Sequence, residues 1–275
     1  MPDLSSFSSV PPASSPADEV KSCCAAAYGT DAVALLLGEA YHPGGRALTR
    51  EMAQALRVGT GDRVLDAACG PGATARLLAA ERGARVDGVD LGAPTLERAR
   101  ALTREAELED RVAFLHGDAE HLPVPDGAYD ALVCECALCT FPGKRAAAAE
   151  FARVLRPGGR VGVTDVVVEG GLPRELAGIA GWIACIADAL PTSGYLELLE
   201  GAGLRVGLVE RHDAALERMV DRIEARLRVL AMAAPERLAE AGVDGEAVAP
   251  YLEAARRAVQ EGRVGYALFT AEKPA

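Results

Sequence analysis

The sequence predicts an α/β fold, a mostly parallel seven-stranded sheet with helices on both faces. Two observations carry that expectation. From Asp62 onward, short apolar runs rich in β-branched residues alternate with longer helix-forming runs, the pattern of a sheet covered on both sides. From Arg63 to Gly72 a strand signal runs into an acid, two alanines and a tight glycine turn, and a helical run follows at once. In an open sheet such a βα turn aims helix N–H groups and a positive dipole end into a crevice.

The elements follow in order. Strands are expected at Arg63–Asp66, Arg85–Asp90, Val112–His116, Ala131–Cys136, Arg160–Val168, Leu204–Arg211 and Val264–Glu272, where apolar and β-branched residues cluster. Helices are expected at Ala73–Arg82, Ala93–Glu107, Lys144–Leu155, Glu175–Ala189, Gly194–Ala202, Ala214–Ala233 and Gly245–Glu261. Ahead of them, residues 1–20 are rich in Ser and Pro and read as a disordered tail. Residues 21–60 read as a helical lid, with a short helix from Asp31 to Gly38 and an amphipathic one from Leu48 to Leu56. Residues 61–212 form the main domain, and 213–275 a small helical cap plus the strand that completes the sheet.

Composition narrows the partners. The 275 residues are 50 % apolar, enough for a sizeable core, and carry a formal charge of −11. No basic stripe is left to neutralise a nucleic-acid backbone, so a small molecule is the expected partner. No run reaches the roughly 18 apolar residues of a membrane span. The first twenty residues have neither the basic start nor the apolar stretch of a secretory signal, so a cytoplasmic location is expected. In that reducing setting the seven cysteines read as packing residues, metalloid ligands or redox groups rather than a disulfide framework.

The glycine turn alone is ambiguous, because Gly70-Pro71-Gly72-Ala73-Thr74-Ala75 also fits a dinucleotide-binding G-x-G-x-x-A. Three acids decide the matter. Asp66 precedes the turn, placed for an ammonium group. Asp90 ends the second strand, placed for both ribose hydroxyls. Asp118 follows the third strand, placed for the exocyclic amine of adenine. Such a set suits a nucleoside with an amino-acid tail and would repel a pyrophosphate.

At these residues the chain resembles the class I S-adenosylmethionine-dependent methyltransferases. The segments DRVLDAACGPG, GVDL, GDAEHLP, AYDALVCE and FARVLRPGGRVGVTD carry the likeness over residues 62–169. The resemblance implies a Rossmann-like domain that holds S-adenosyl-L-methionine along Asp66, Ala68, Gly70 and Gly72, at Asp90 and Leu91, at Asp118 and Ala119, and at Glu135.

The cysteines resemble those of the arsenite methyltransferases. Cys136 stands at the end of the fourth strand, Cys185 in a later helix, and Cys23-Cys24 ahead of Tyr28-Gly29. Here Ala184 precedes the helix cysteine where that family has Glu, and Glu135 stands where it has Asn. The resemblance implies Cys136, Cys185 and Cys24 (or Cys23) as ligands of trivalent arsenic or a related soft metalloid, softness matching thiolate. A thiol reductant such as glutathione or thioredoxin would then be a partner. Thiolate-bound arsenic attacks a methyl group through its lone pair and needs no general base, unlike oxygen or nitrogen. The alternative is a small-molecule O-, N- or C-methyltransferase of biosynthesis whose cysteines pack the core. In that case His42, His116, His121 and His212 are the candidate bases. His42 heads that group, although a turn histidine in water is its bland reading, and His121 reads as pocket wall.

Overall fold

The middle of the sheet is built by strands too apolar to face water. In a computed structural model, which describes residues 16–38, 41–172, 176, 186 and 188–275, β1 (Arg63–Ala67) is buried from Val64 onward. It pairs in parallel with β2 (Arg85–Asp90) on one side and with β4 (Tyr129–Glu135) on the other. Outward from β2 lies β3 (Val112–His116), and outward from β4 lies β5 (Leu155–Val168), both again parallel. The last strand, β7 (Val264–Glu272), inserts antiparallel between β5 and β6 (Arg205–Arg211). The order is β3-β2-β1-β4-β5-β7-β6, as the expected seven-stranded sheet requires.

Period-two alternation puts neighbouring residues on opposite faces. Leu65 and Leu132 join Phe151 and Phe269 in one core, while Val64 and Val133 join Met52, Leu78 and Phe114 in the other. Each such fully buried side chain contributes about 1.5–3 kcal/mol of burial. Helices α4 (Ala73–Arg82), α5 (Ala93–Glu105) and α6 (Lys144–Val154) follow β1, β2 and β4. Next come α7 (Thr192–Gly201), α8 (Asp213–Ala233), α9 (Pro235–Glu240) and α10 (Gly245–Gln260). A third core gathers Leu216 and Val220 of α8 and Leu252 of α10 against Tyr266. Chain order reverses between β1 and β4, and the crevice opens at the carboxyl ends of these two strands.

The amino-terminal expectation needs correction. Helix α1 (Pro16–Tyr28) begins inside the stretch read as a disordered tail. Glu19, in its first turn, complements the dipole of that end. Residues 1–15 lie outside the described residues, as does most of the helix expected at Glu175–Ala189. Helices α2 (Asp31–Leu37) and α3 (Gly45–Ala55) follow. Among the described residues no single helix is long and apolar enough to cross a membrane.

Candidate active site

A cleft with about 1080 Å³ of empty space, its open mouth included, lies over the ends of β1, β2 and β4. Every residue expected to hold the nucleoside lines it, namely Asp66, Ala68, Gly70, Asp90, Leu91, Asp118, Ala119 and Glu135, with the single exception of Gly72. Gly72 instead starts α4 in the left-handed region at φ 75°, and a Cβ there would stand 2.6 Å from the ring of Phe114. Gly70 is also left-handed (φ 52°), but a Cβ added to it would meet nothing within 4 Å. Its missing side chain leaves free space on the cleft wall.

Asp66 is fully buried at the cleft floor, and its Oδ2 has no hydrogen-bond partner. Burial, then the nearby carboxylates of Glu135 and Asp90, push its carboxyl well above the usual range. An unpartnered buried carboxylate oxygen beside a glycine turn is what a ligand ammonium would complete. Asp90 is held rigidly: its Oδ2 accepts from the Gly70 N–H at 2.9 Å and its Oδ1 from the Gly92 N–H at 2.8 Å. Burial raises its pKa against those two bonds. Thr95, a residue the sequence reading missed, also lines the cleft with a buried, unpartnered hydroxyl. The fit to S-adenosylmethionine therefore rests on an orphaned acid, an open glycine wall and a cleft acidic enough to favour a cation.

Asp118 has a partner that the sequence did not reveal. Lys21 of α1 reaches its Oδ2 at 2.7 Å and Glu120 Oε2 at 2.6 Å. Burial pulls the Lys21 pKa down, but the two carboxylates outweigh it and hold the ammonium charged. Lys21, Cys24, Ala25 and Tyr28 fall on one helical stripe, and all four line the cleft. Tyr28 faces Tyr41 with ring centroids 6.3 Å apart, so α1 and the turn before α3 together build an aromatic wall.

The cysteines separate. Cys134 is fully buried in the core, and burial pushes its thiol up, as it does that of Cys69. Cys139 is buried as well, while Cys24 and Cys136 line the cleft. Cys134 and Cys136 do not share a face as strand alternation implies. The strand ends at Glu135, and Cys136 turns into the left-handed region at φ 54°, with its N–H donating to the Thr164 carbonyl at 2.6 Å. The Cys23 side chain and Cys185 lie outside the described residues. Among the described residues no group of three or more His, Cys, Asp or Glu side chains is placed to hold a metal ion.

Two histidine expectations are overturned. His121 is not pocket wall, because its side chain is 81 % exposed. His42 is not a turn histidine in water: it is 7 % exposed, lines the cleft and stands 3.6 Å from Glu135. Local sequence could not show this, since the contact joins residues almost a hundred positions apart.

Residues 65–163 match the family model described as a methyltransferase domain. Over these residues the chain is similar to the class I S-adenosylmethionine-dependent methyltransferases. Around this domain, the chain is 36 % identical over 163 residues to Methyltransferase GfsG of Streptomyces halstedii, covering 58 % of this chain and 59 % of that protein. The chain thus spans about three fifths of the length of that curated relative. O-methyltransferase resE of Aspergillus sclerotiorum is 28 % identical over 228 residues, 82 % of this chain and 81 % of its own. Among solved structures, the [4+2]-cyclase SpnF is similar, with a TM-score of 0.69. It is 29 % identical, covering 84 % of this chain and 82 % of its own. None of these three relatives is named for arsenic chemistry, so the finer likeness read from the cysteines finds no support in them.

Proposed function

We propose that the protein is an O-methyltransferase acting on a small organic molecule of a biosynthetic route. The observation that carries the reading is the make-up of the cleft, whose lining combines acids near the glycine turn with apolar and aromatic side chains. Asp66 would hold the ammonium of S-adenosyl-L-methionine, Asp90 with Thr95 the ribose hydroxyls, and Asp118 the adenine amine once Lys21 yields it. When bound, the cofactor supplies an electrophilic methyl group on a sulfonium. Tyr28, Tyr41, Ala137 and Phe141 line the remaining space and suit an apolar or aromatic acceptor. Residues 21–60 act in this reading as a lid, α1 and the turn at Tyr41-His42 forming its inner face, and residues 213–275 as a cap. The likeness to resE and GfsG supports methyl transfer over the cyclisation named for SpnF.

The second reading, a thiolate-bound metalloid acceptor with a thiol reductant as partner, is favoured only by Cys24 and Cys136, both on the cleft wall. One experiment separates the two. Labelled S-adenosylmethionine is offered with a panel of phenols and alcohols, and in parallel with arsenite plus glutathione. Label in the organic acceptors, retained in Cys136→Ser, is the expected result. Label only in methylated arsenic, lost in Cys136→Ser, overturns the O-methyl reading, and S-adenosylhomocysteine binding without any product points to cyclase-like chemistry.

A further inference from the structure

Around Glu135 the structure holds a buried polar cluster that neither cofactor binding nor packing uses up. Its carboxylate, 4 % exposed at the end of β4, accepts the hydroxyl of Thr74 from α4 and that of Thr49 from α3, the latter at 3.1 Å from both oxygens. Nε2 of His42 lies 3.6 Å from Glu135 Oε2 and 3.4 Å from Thr49 Oγ1. Nδ1 of the same ring lies 3.2 Å from the Pro43 carbonyl oxygen. A carbonyl only accepts, so an imidazole that hydrogen-bonds Pro43 carries its proton on Nδ1 and its lone pair on Nε2. A second proton has one place to go. At Nε2 it would face a carboxylate and a hydroxyl oxygen whose own proton is turned toward that carboxylate.

We propose that Glu135 takes the proton of the acceptor hydroxyl, and that His42 is a positioning residue that receives it from Glu135 at Nε2. The inference rests on the O-methyl reading above. As the acceptor's O–H bond breaks, its proton passes to a Glu135 oxygen and its electron pair forms the bond to the methyl carbon. The methyl–sulfur bond breaks with its pair left on sulfur. The proton moves on to Nε2 and leaves to water when the cleft opens, returning the imidazole to its Nδ1-protonated form. Ionisable groups near Glu135 include Asp66 at the end of β1, Cys134 on β4 and Tyr266 on β7, each close enough to feel its charge, and the adjacent Cys136 on the cleft wall. None of them is a cation, so the imidazolium is the one positive partner the described residues place against this carboxylate.

The test begins without any acceptor. Nitrogen-15 NMR of histidine-labelled protein at pH 8, with His42 assigned by the loss of its signals in His42→Gln, reads the tautomer directly. The expected result is a neutral ring protonated on Nδ1, with Nε2 as the bare nitrogen. A ring protonated on Nε2 overturns the proposal. Calorimetry with S-adenosylhomocysteine then establishes that Glu135→Gln and His42→Gln fold and bind. With an acceptor from the panel above, Glu135→Gln should lower kcat by about 10²–10⁴-fold, the usual contribution of a positioned base. His42→Gln should lower it by roughly tenfold or more, and the double variant should be no worse than Glu135→Gln alone, since the two act as one unit. A rise in cofactor KM with kcat unchanged in Glu135→Gln would make that residue a cofactor contact only and end the proposal. The predicted tautomer and intact ligand binding with no methylated hydroxyl would instead overturn the O-methyl reading.

Discussion

The two strand ends that meet at the cleft are built on opposite plans. At the end of β1, Asp66 is buried with one oxygen unpartnered, beside a turn whose glycine leaves open space. At the end of β4, Glu135 is buried with both oxygens engaged by hydroxyls and a histidine within ion-pair reach. The first is a carboxylate left incomplete, at a cost to the fold that a bound cation removes. The second has both oxygens engaged by protein donors, and in the transfer proposed above it handles a proton through the neighbouring histidine. The difference shows that two equally buried carboxylates can differ in the state of their hydrogen bonds, and the proposed roles follow that difference.

Replacing Asp66 should break this comparison most sharply. Asp66→Asn is expected to weaken S-adenosylhomocysteine binding by about 100-fold or more, because a buried charge pair loses one partner. The same change removes a desolvated carboxylate from the cofactor-free protein, which should gain about 1 kcal/mol and melt roughly 2–4 °C higher. Calorimetry and a thermal melt check the two effects, which run in opposite directions. Equal losses of binding and stability would mean that Asp66 is simply structural.

The backbone of the turn gives the next effect. Gly72→Ala places a Cβ 2.6 Å from Phe114 in a left-handed residue, so a loss of about 1–3 kcal/mol is expected in urea unfolding. The cysteines give the smallest contrast. Cys134→Ser puts a hydroxyl into the core and should cost about 1–2 kcal/mol, whereas Cys136→Ser, on the cleft wall, should stay within about 0.5 kcal/mol. A larger cost at Cys136 than at Cys134 would reverse the assignment of packing and cleft roles.

How much of this was legible in the sequence depends on how local each cause is. Strand and helix alternation, the glycine turn and the acids at strand ends are written within a few residues of one another, so the sheet and the acids that line the cleft could be read. What was missed is held by contacts between distant positions. Lys21 meets Asp118 only because α1 folds over the third strand end, and α1 itself was hidden by the Ser- and Pro-rich residues before it. His42 and Thr49 meet Glu135 only because α3 packs beside β4. The strand expected to run to Cys136 stops at Glu135 for a local reason, the left-handed turn at Cys136.

The most direct test of the central contrast is the proton balance of ligand binding. The Asp66 carboxyl titrates higher in the folded, cofactor-free protein than in the unfolded chain. The native state therefore holds more protons across the acid range, and the stability of the free protein falls as pH rises through it. A ligand ammonium favours the ionised form, so binding must expel that proton and tighten as pH rises. Calorimetry of S-adenosylhomocysteine across the acid range, repeated in buffers of different ionisation enthalpy, measures the protons released. The expected result is net release that disappears in Asp66→Asn. Binding with no proton exchange, and an affinity flat with pH, would contradict the account.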